Sequence, residues 1–258
     1  NRFPLGWLAV FRGPSSRTYE FKPGSFPNPG WTASIGKGGY TAAIAAIRSA
    51  IAKGKCYQVN YTFPMESRFQ GDAWAWYRAL GAAQGAGYSA WIDLGRYQVL
   101  SFSPELFFER EGNVLRARPM KGTAPRGRWA SEDVEQRSKL EKSEKNQAEN
   151  LMIVDLLRND LGRVSVPGTV RVPRLFDVER YATLFQMTST IESVSRAGTG
   201  LVDIFGALFP CGSVTGAPKI SPMKMIRTLE PSPRGVYTGS IGLVRPGGDC
   251  TFSVAIRT

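Results

Sequence analysis

The chain has 258 residues, room for one large domain or two small ones around a real buried core. Its hydrophobic content, 42%, is that of a globular protein, and 33 Lys and Arg against 21 acidic residues give a net charge of +12. There is no histidine, which excludes Ser-His-Asp and Cys-His relays and histidine-ligated zinc, iron or copper.

Acid–base chemistry therefore falls to Glu, Asp, Lys, Tyr or Cys, and any metal falls to carboxylates, which suits magnesium or calcium. Three widely spaced cysteines, Cys56, Cys211 and Cys250, form no CxxC pair and read as reduced thiols of a cytoplasmic protein. The run "AAIAAIRSAIA" is broken by Arg48, and no apolar stretch is long enough to cross a membrane. The positive charge suits an anionic partner, although a solvated surface accounts for most of it. No track of basic residues interleaved with aromatics marks a nucleic-acid groove, so no nucleic acid is expected.

In chain order, residues 1–34 are rich in Pro, Gly and Ser and read as an extended lead-in or the remnant of another subdomain, with the main domain over 35–258. "YTAAIAAIRSAIAK" (40–53) sets Ile44, Ile47 and Ile51 on one helical face and stops at Gly54. "CYQVNYT" (56–62) alternates as a strand, and "WYRALGAA" (76–83) reads as a short helix. Four strands follow: "SAWIDL", "YQVLSF", "LFFERE" and "VLRARP". "ARPMKGTAP" (117–125) reads as a strand end turning through Pro119 into a small-residue loop.

Residues 124–139 read as an exposed loop with a helical start near Ser131, and a long helix runs from about Ser143 to Asn159. "VSVPGTVRV" (164–172) carries a hairpin signature at Pro167-Gly168, and 177–195 are strand-like. Helices at about 201–209 and 217–229 precede two last strands, "GSIGLV" and "TFSVAIR". Antiparallel runs with inserted helices argue α+β.

Several side chains could carry chemistry. Lys121 sits among small residues that allow close approach of a ligand. Arg116, Arg118 and Arg126 nearby, if they point inward, would favour a neutral, nucleophilic amine; a surface lysine in a turn is the even alternative. Glu105 in "SPEL" precedes apolar Leu106-Phe107-Phe108, surroundings that would keep it protonated as an acid, unless it lies in a solvated turn. Glu149 heads an apolar helix stripe of Met152, Ile153 and Leu156; a metal would meet its charge, and so would Lys145 one turn back. "CGSVTGAPK" (211–219) could bind an anion or merely cap a helix, and it is not a P-loop. Arg257 at a strand end suits a carboxylate or is simply exposed.

Together "YQVNYT", "SFSPELF", "RPMKGTAPRG", "KNQAENLMIVDLLRNDLGRV", "GSVTGAPK", "YTGSIG" and "FSVAIRT" occur in the order that resembles the chorismate-utilising enzymes, over about residues 40–258. The resemblance implies an α+β sandwich of antiparallel sheets surrounded by helices. Within this family the anthranilate-forming enzymes carry alanine where Lys121 stands, and lysine marks the branch that aminates chorismate at C4 for p-aminobenzoate and folate synthesis. Isochorismate and salicylate formation share the fold as alternatives.

The resemblance further implies that Lys121 attacks C2 of the ring and that Glu105 protonates the departing C4 hydroxyl. It implies that Thr123, Thr215 and Gly216 line the pocket, that Tyr237 and Arg257 hold the enolpyruvyl carboxylate, and that Glu149 is one ligand of a Mg2+ ion. Ammonia would come from a glutamine amidotransferase subunit. Two departures stand out. A histidine of many relatives falls near Phe185, and the family continues past "IRT" with a glutamate-bearing helix that supplies the other magnesium ligand. The chain thus reads as a core fragment with weak metal binding or none.

Overall fold

The computed structural model describes residues 5–14, 30–85 and 87–258. Residues 5–14 hold no helix or strand, and most of the remaining lead-in lies outside the described residues. The first half contains β1 (Thr32–Ala33), α1 (Lys37–Ala52), β2 (Gln58–Val59), β3 (Met65–Glu66), α2 (Ala73–Gln84), β4 (Tyr88–Asp93), β5 (Gln98–Ser103), β6 (Leu106–Glu111), β7 (Val114–Arg118) and β8 (Met120–Pro125). The second contains α3 (Ala130–Glu141), α4 (Glu144–Gly162), β9 (Arg171–Arg180), β10 (Leu184–Val194), α5 (Leu201–Leu208), a 3-10 turn (Gly212–Val214), β11 (Gly216–Ala217), α6 (Ile220–Leu229), β12 (Ser240–Val244) and β13 (Cys250–Val254).

Seven strands make one antiparallel sheet in the order β12, β13, β6, β7, β10 and β8, with β9 on β10 as well. Strand β10 organises it. Residues 191–194 pair with β7, residues 184–188 pair with β8, and β9 runs along the opposite edge. Strands β7 and β8 are therefore consecutive stretches along one side of β10, with β6 on the other side of β7. Small two-stranded sheets join β1 to β3, β2 to β11 and β4 to β5.

Helix α4 covers one face of this sheet. Ser143 caps it by accepting the Asn146 N–H (3.4 Å), and Ile153, Val154, Leu157 and Leu161 recur at helical spacing on the buried side. They pack with Phe107, Phe108, Leu115, Ala117, Ile191, Ile204, Leu208 and Val254 in the main core. Each such side chain contributes about 1.5–3 kcal/mol through removal of apolar surface from water. A satellite cluster of Ala124, Leu140, Phe185 and Met187 lies under α3.

Three sequence expectations change. "MKGTAP" is strand β8 and not a loop, because Ser189 N–H reaches the Pro119 carbonyl (3.3 Å) and carries the ladder past the proline. Proline removes one donor there, and the small residues permit an irregular register instead of ending the strand. The turn at Pro167-Gly168 exists, but the segments beside it do not pair with each other. Ser165 bridges to Ser195 and Arg171 pairs with Glu192, so both segments use β10 and its continuation. Finally, residues 130–141 form α3, whose first turn carries Glu132 and Asp133 at the positive end of the helix dipole.

Candidate active site

Glu105 lies in the short connection between β5 and β6. Its own N–H donates to Ser103 Oγ (3.2 Å), and its carbonyl accepts Val254 N–H (3.1 Å), which locks the turn to β13. The carboxyl is buried, and Oε1 has no hydrogen-bond partner. Burial raises its pKa to about 7; a hydrogen bond with Ser213 and the charge of Lys121 oppose this only in part. The same burial, reinforced by Glu105, pushes the Cys211 thiol up to about 12, so it remains a thiol, 3.2 Å from Ser213 Oγ. The solvated-turn alternative for Glu105 is excluded.

Lys121 reaches this group by topology. Leu106 pairs with Arg118, so the chain that continues through Pro119 passes beside the Glu105 turn. On β10, Gln186 pairs with Thr123 and Thr188 pairs with Met120, leaving Lys121 and Gly122 opposite Met187 alone. This is a β-bulge, a device that re-aims a side chain. Gly122 has φ +96°, and a Cβ there would come to 3.0 Å from Asn146 Cβ of α4. The positive φ favours glycine, and a side chain there would press on Asn146. Thr123 donates to Gln186 Oε1 (3.0 Å), and Gln186 Nε2 donates to the Gly122 carbonyl (2.8 Å).

The arginines around the lysine are occupied. Arg116 pairs with Glu109 and Glu192, Arg118 with Glu179 (3.1 Å), and Arg126 with Asp133 (2.6 Å) while lying over the Phe185 ring. The unbalanced cationic cluster expected from sequence is thus a set of neutralised pairs. Phe185 itself is turned into the satellite core; its neighbour Gln186 is the residue of β10 that meets the bulge.

The substrate-binding candidates gather at the same end of the sheet. Phe102 N–H donates to the Arg257 carbonyl (3.1 Å), and Thr238 N–H donates to Ala255 (2.8 Å), which places Tyr237 and Arg257 on adjoining segments beside Glu105. Arg257 is exposed at φ +54°, and Tyr237 is partly exposed. Thr215 is buried and turns its hydroxyl to the Cys211 carbonyl (2.9 Å). Gly216 has φ +142°; a side chain there would collide with the Gln58 carbonyl oxygen and come within 2.9 Å of Pro222.

Arg234 braces this region. It forms a buried pair with Glu230 (2.6 Å) and donates to the carbonyls of Val214 (2.7 Å) and Asn60 (2.6 Å). Sequence reading missed Ser213, Gln186 and Arg234. Ser213 lay in a motif noted only for its loop character, whereas the other two depend on contacts 64 and 174 residues away along the chain.

Glu149 is half-buried on α4, one residue before Asn150, and Lys145 Nζ stands 4.0 Å from it, the partner one turn back. Among the described residues no group of three or more His, Cys, Asp or Glu is gathered to hold an ion. Glu149 supplies a single carboxylate, and the residues described do not by themselves fit a magnesium site.

A buried protonatable carboxyl near a bulge-borne lysine, on an antiparallel sheet covered by α4, is the kind of arrangement that marks an acid–base active site. The chain belongs to the chorismate binding enzyme family, which matches residues 8–258. It is 39% identical over 254 residues to aminodeoxychorismate synthase component 1 of Klebsiella aerogenes, covering 98% of this chain and 55% of that protein. It is 37% identical to anthranilate synthase component 1 of Streptomyces coelicolor, covering 97% and 50%. The crystal structure of anthranilate synthase component I from Streptococcus pneumoniae TIGR4 superposes with a TM-score of 0.82 at 30% identity, covering 89% of this chain and 51% of that one. The chain spans about half the length of the curated relatives it matches.

Proposed function

We propose that this chain is the catalytic part of an aminodeoxychorismate synthase component 1, converting chorismate and ammonia to 4-amino-4-deoxychorismate. The observation that carries the reading is a buried carboxyl, Glu105, whose Oε1 lacks a partner and which lies within electrostatic reach of Lys121. Unpartnered buried oxygens are costly, and an oxygen of a bound ligand would relieve this one. The relatives that bear the same name support the choice of reaction.

In this reading the lone pair of Lys121 Nζ forms a bond to ring carbon C2. The two ring double bonds shift, the C4–O bond breaks, and the Glu105 proton lets the hydroxyl leave as water. Ammonia then forms the C4–N bond, the double bonds return, and the C2–N electron pair goes back to Lys121. Glu105 recovers its proton from the new ammonium group or from solvent. Thr123 and the Thr215-Gly216 turn would line the ring, and Tyr237 with Arg257 would receive a carboxylate.

Magnesium enters only through Glu149, which would give one oxygen beside the ligand's own carboxylate; no step above depends on it. Ammonia would be delivered by a glutamine amidotransferase subunit. Similarity to anthranilate synthases favours a second reading, with ammonia attacking C2 and pyruvate leaving.

Product identity separates the two. Incubation of the protein with chorismate, magnesium and ammonium, followed by a lyase that releases pyruvate, should give p-aminobenzoate. Anthranilate formed without the lyase would overturn the reading.

A further inference from the structure

A β-bulge leaves backbone groups outside the ladder, and buried carbonyls need donors. Here the bulge is Lys121-Gly122, and each of its carbonyls is met by a side-chain amide. Gln186 Nε2 donates to Gly122 O at 2.8 Å, and Asn150 Nδ2 approaches Lys121 O at 3.5 Å. Both amides are buried and held in orientation from their far side. Thr123 Oγ1 donates to Gln186 Oε1 (3.0 Å), and Ser189 Oγ donates to Asn150 Oδ1 (2.5 Å). Because a carbonyl can only accept, the amide nitrogen of Gln186 must be the atom facing Gly122. Its orientation follows from the network itself.

We infer that Gln186 is a positioning residue for Lys121, clamping the bulged Gly122 carbonyl so that the lysine is held toward the Glu105 turn, with Asn150 bracing the other carbonyl. Without the clamp, a bulge can migrate along its strand by a residue, and a one-residue slip turns the side chains to the opposite face. The clamp therefore acts on the direction of the amine and not on its chemistry. Ser189 links it to the fold: its N–H holds the Pro119 carbonyl, and its hydroxyl accepts the Phe176 N–H (3.1 Å).

The inference rests on the reading of Lys121 as the nucleophile, and its test is kept separable from that reading. The intact chain is treated with a small amine-directed acylating reagent, and modification of Lys121 is followed by peptide mass spectrometry, with exposed Lys53 and Lys142 as internal standards. Amination kinetics are measured in parallel.

Gln186→Met keeps length and burial but cannot donate. Its Lys121 reactivity relative to Lys53 should change at least about fivefold, and kcat should fall about 10–100-fold with KM moving less than about threefold. Gln186→Glu donates only when protonated, so its reactivity ratio to wild type should approach one at low pH and depart from it as pH rises. The Gln186→Met ratio should stay flat with pH. Should Gln186→Met fail to fold, the pH profile of Gln186→Glu decides alone. Lys121 reactivity equal to wild type in either folded variant at every pH overturns the clamp. Undiminished amination by Lys121→Ala would instead overturn the nucleophile reading, leaving the reactivity result to judge the clamp.

Discussion

At the scale of single residues, Glu105 carries the clearest physical signature. Its pKa is raised to about 7 by burial, so the folded state holds its proton where the unfolded chain, near its ordinary value, has lost it. Between those two values the native state binds more protons, and stability falls as pH rises toward about 7, then stays reduced. Glu105→Gln should remove that loss. The variant should be more stable than wild type at pH 8 by roughly 3 kcal/mol, and indistinguishable below pH 4, in urea titrations at the two pH values. Activity should behave oppositely. An acid with this pKa is protonated below about 7, so wild-type amination should decline above neutrality, and Glu105→Gln should lose about 10²–10⁴-fold below pH 7, a deficit that narrows as the wild-type acid loses its proton. Greater stability with lost activity marks a group kept for chemistry at the expense of the fold.

At the scale of elements, the joint between α4 and α6 should be sensitive to a single substitution. Lys219 Nζ donates to Asp160 Oδ2 (2.5 Å) and to the Leu208 carbonyl (2.8 Å), with both side chains largely buried. Removing one partner leaves a buried charge uncompensated. Lys219→Met should therefore cost about 3–5 kcal/mol in urea unfolding, while Lys219→Met with Asp160→Leu should recover much of it. A double variant as unstable as the single would contradict that account.

The elements also show what sequence could disclose. The four strands from β4 to β7 and the helix α4 were legible because alternation and 3.6-residue spacing are local signals. Strand β8 was not, since Pro119 and Gly122 carry loop signals that β10 overrides by pairing from 60-odd residues away. Glu105 was legible through the apolar residues that follow it. Ion pairing of Arg116, Arg118 and Arg126 was not, because their carboxylates sit on other strands and on α3.

At the scale of the whole molecule, one long bulged stretch along β10, β7 continuing into β8, brings the lysine beside the Glu105 turn, while the segments after β13 and before β12 bring Arg257 and Tyr237 to the same end. Among the described residues no helix is long and apolar enough to cross a membrane. With Glu149 as a single carboxylate, magnesium binding by this chain without ligand, measured by calorimetry, should be weak or absent.

The central claim, transient bonding of the ring to Lys121, is tested most directly by mass spectrometry of the protein incubated with chorismate and magnesium in the absence of ammonia. The account predicts a covalent adduct with the mass of chorismate less water on the peptide containing Lys121, absent in Lys121→Ala and discharged by added ammonium. Undiminished C4 amination by Lys121→Ala, with no adduct on the wild-type peptide, would contradict it.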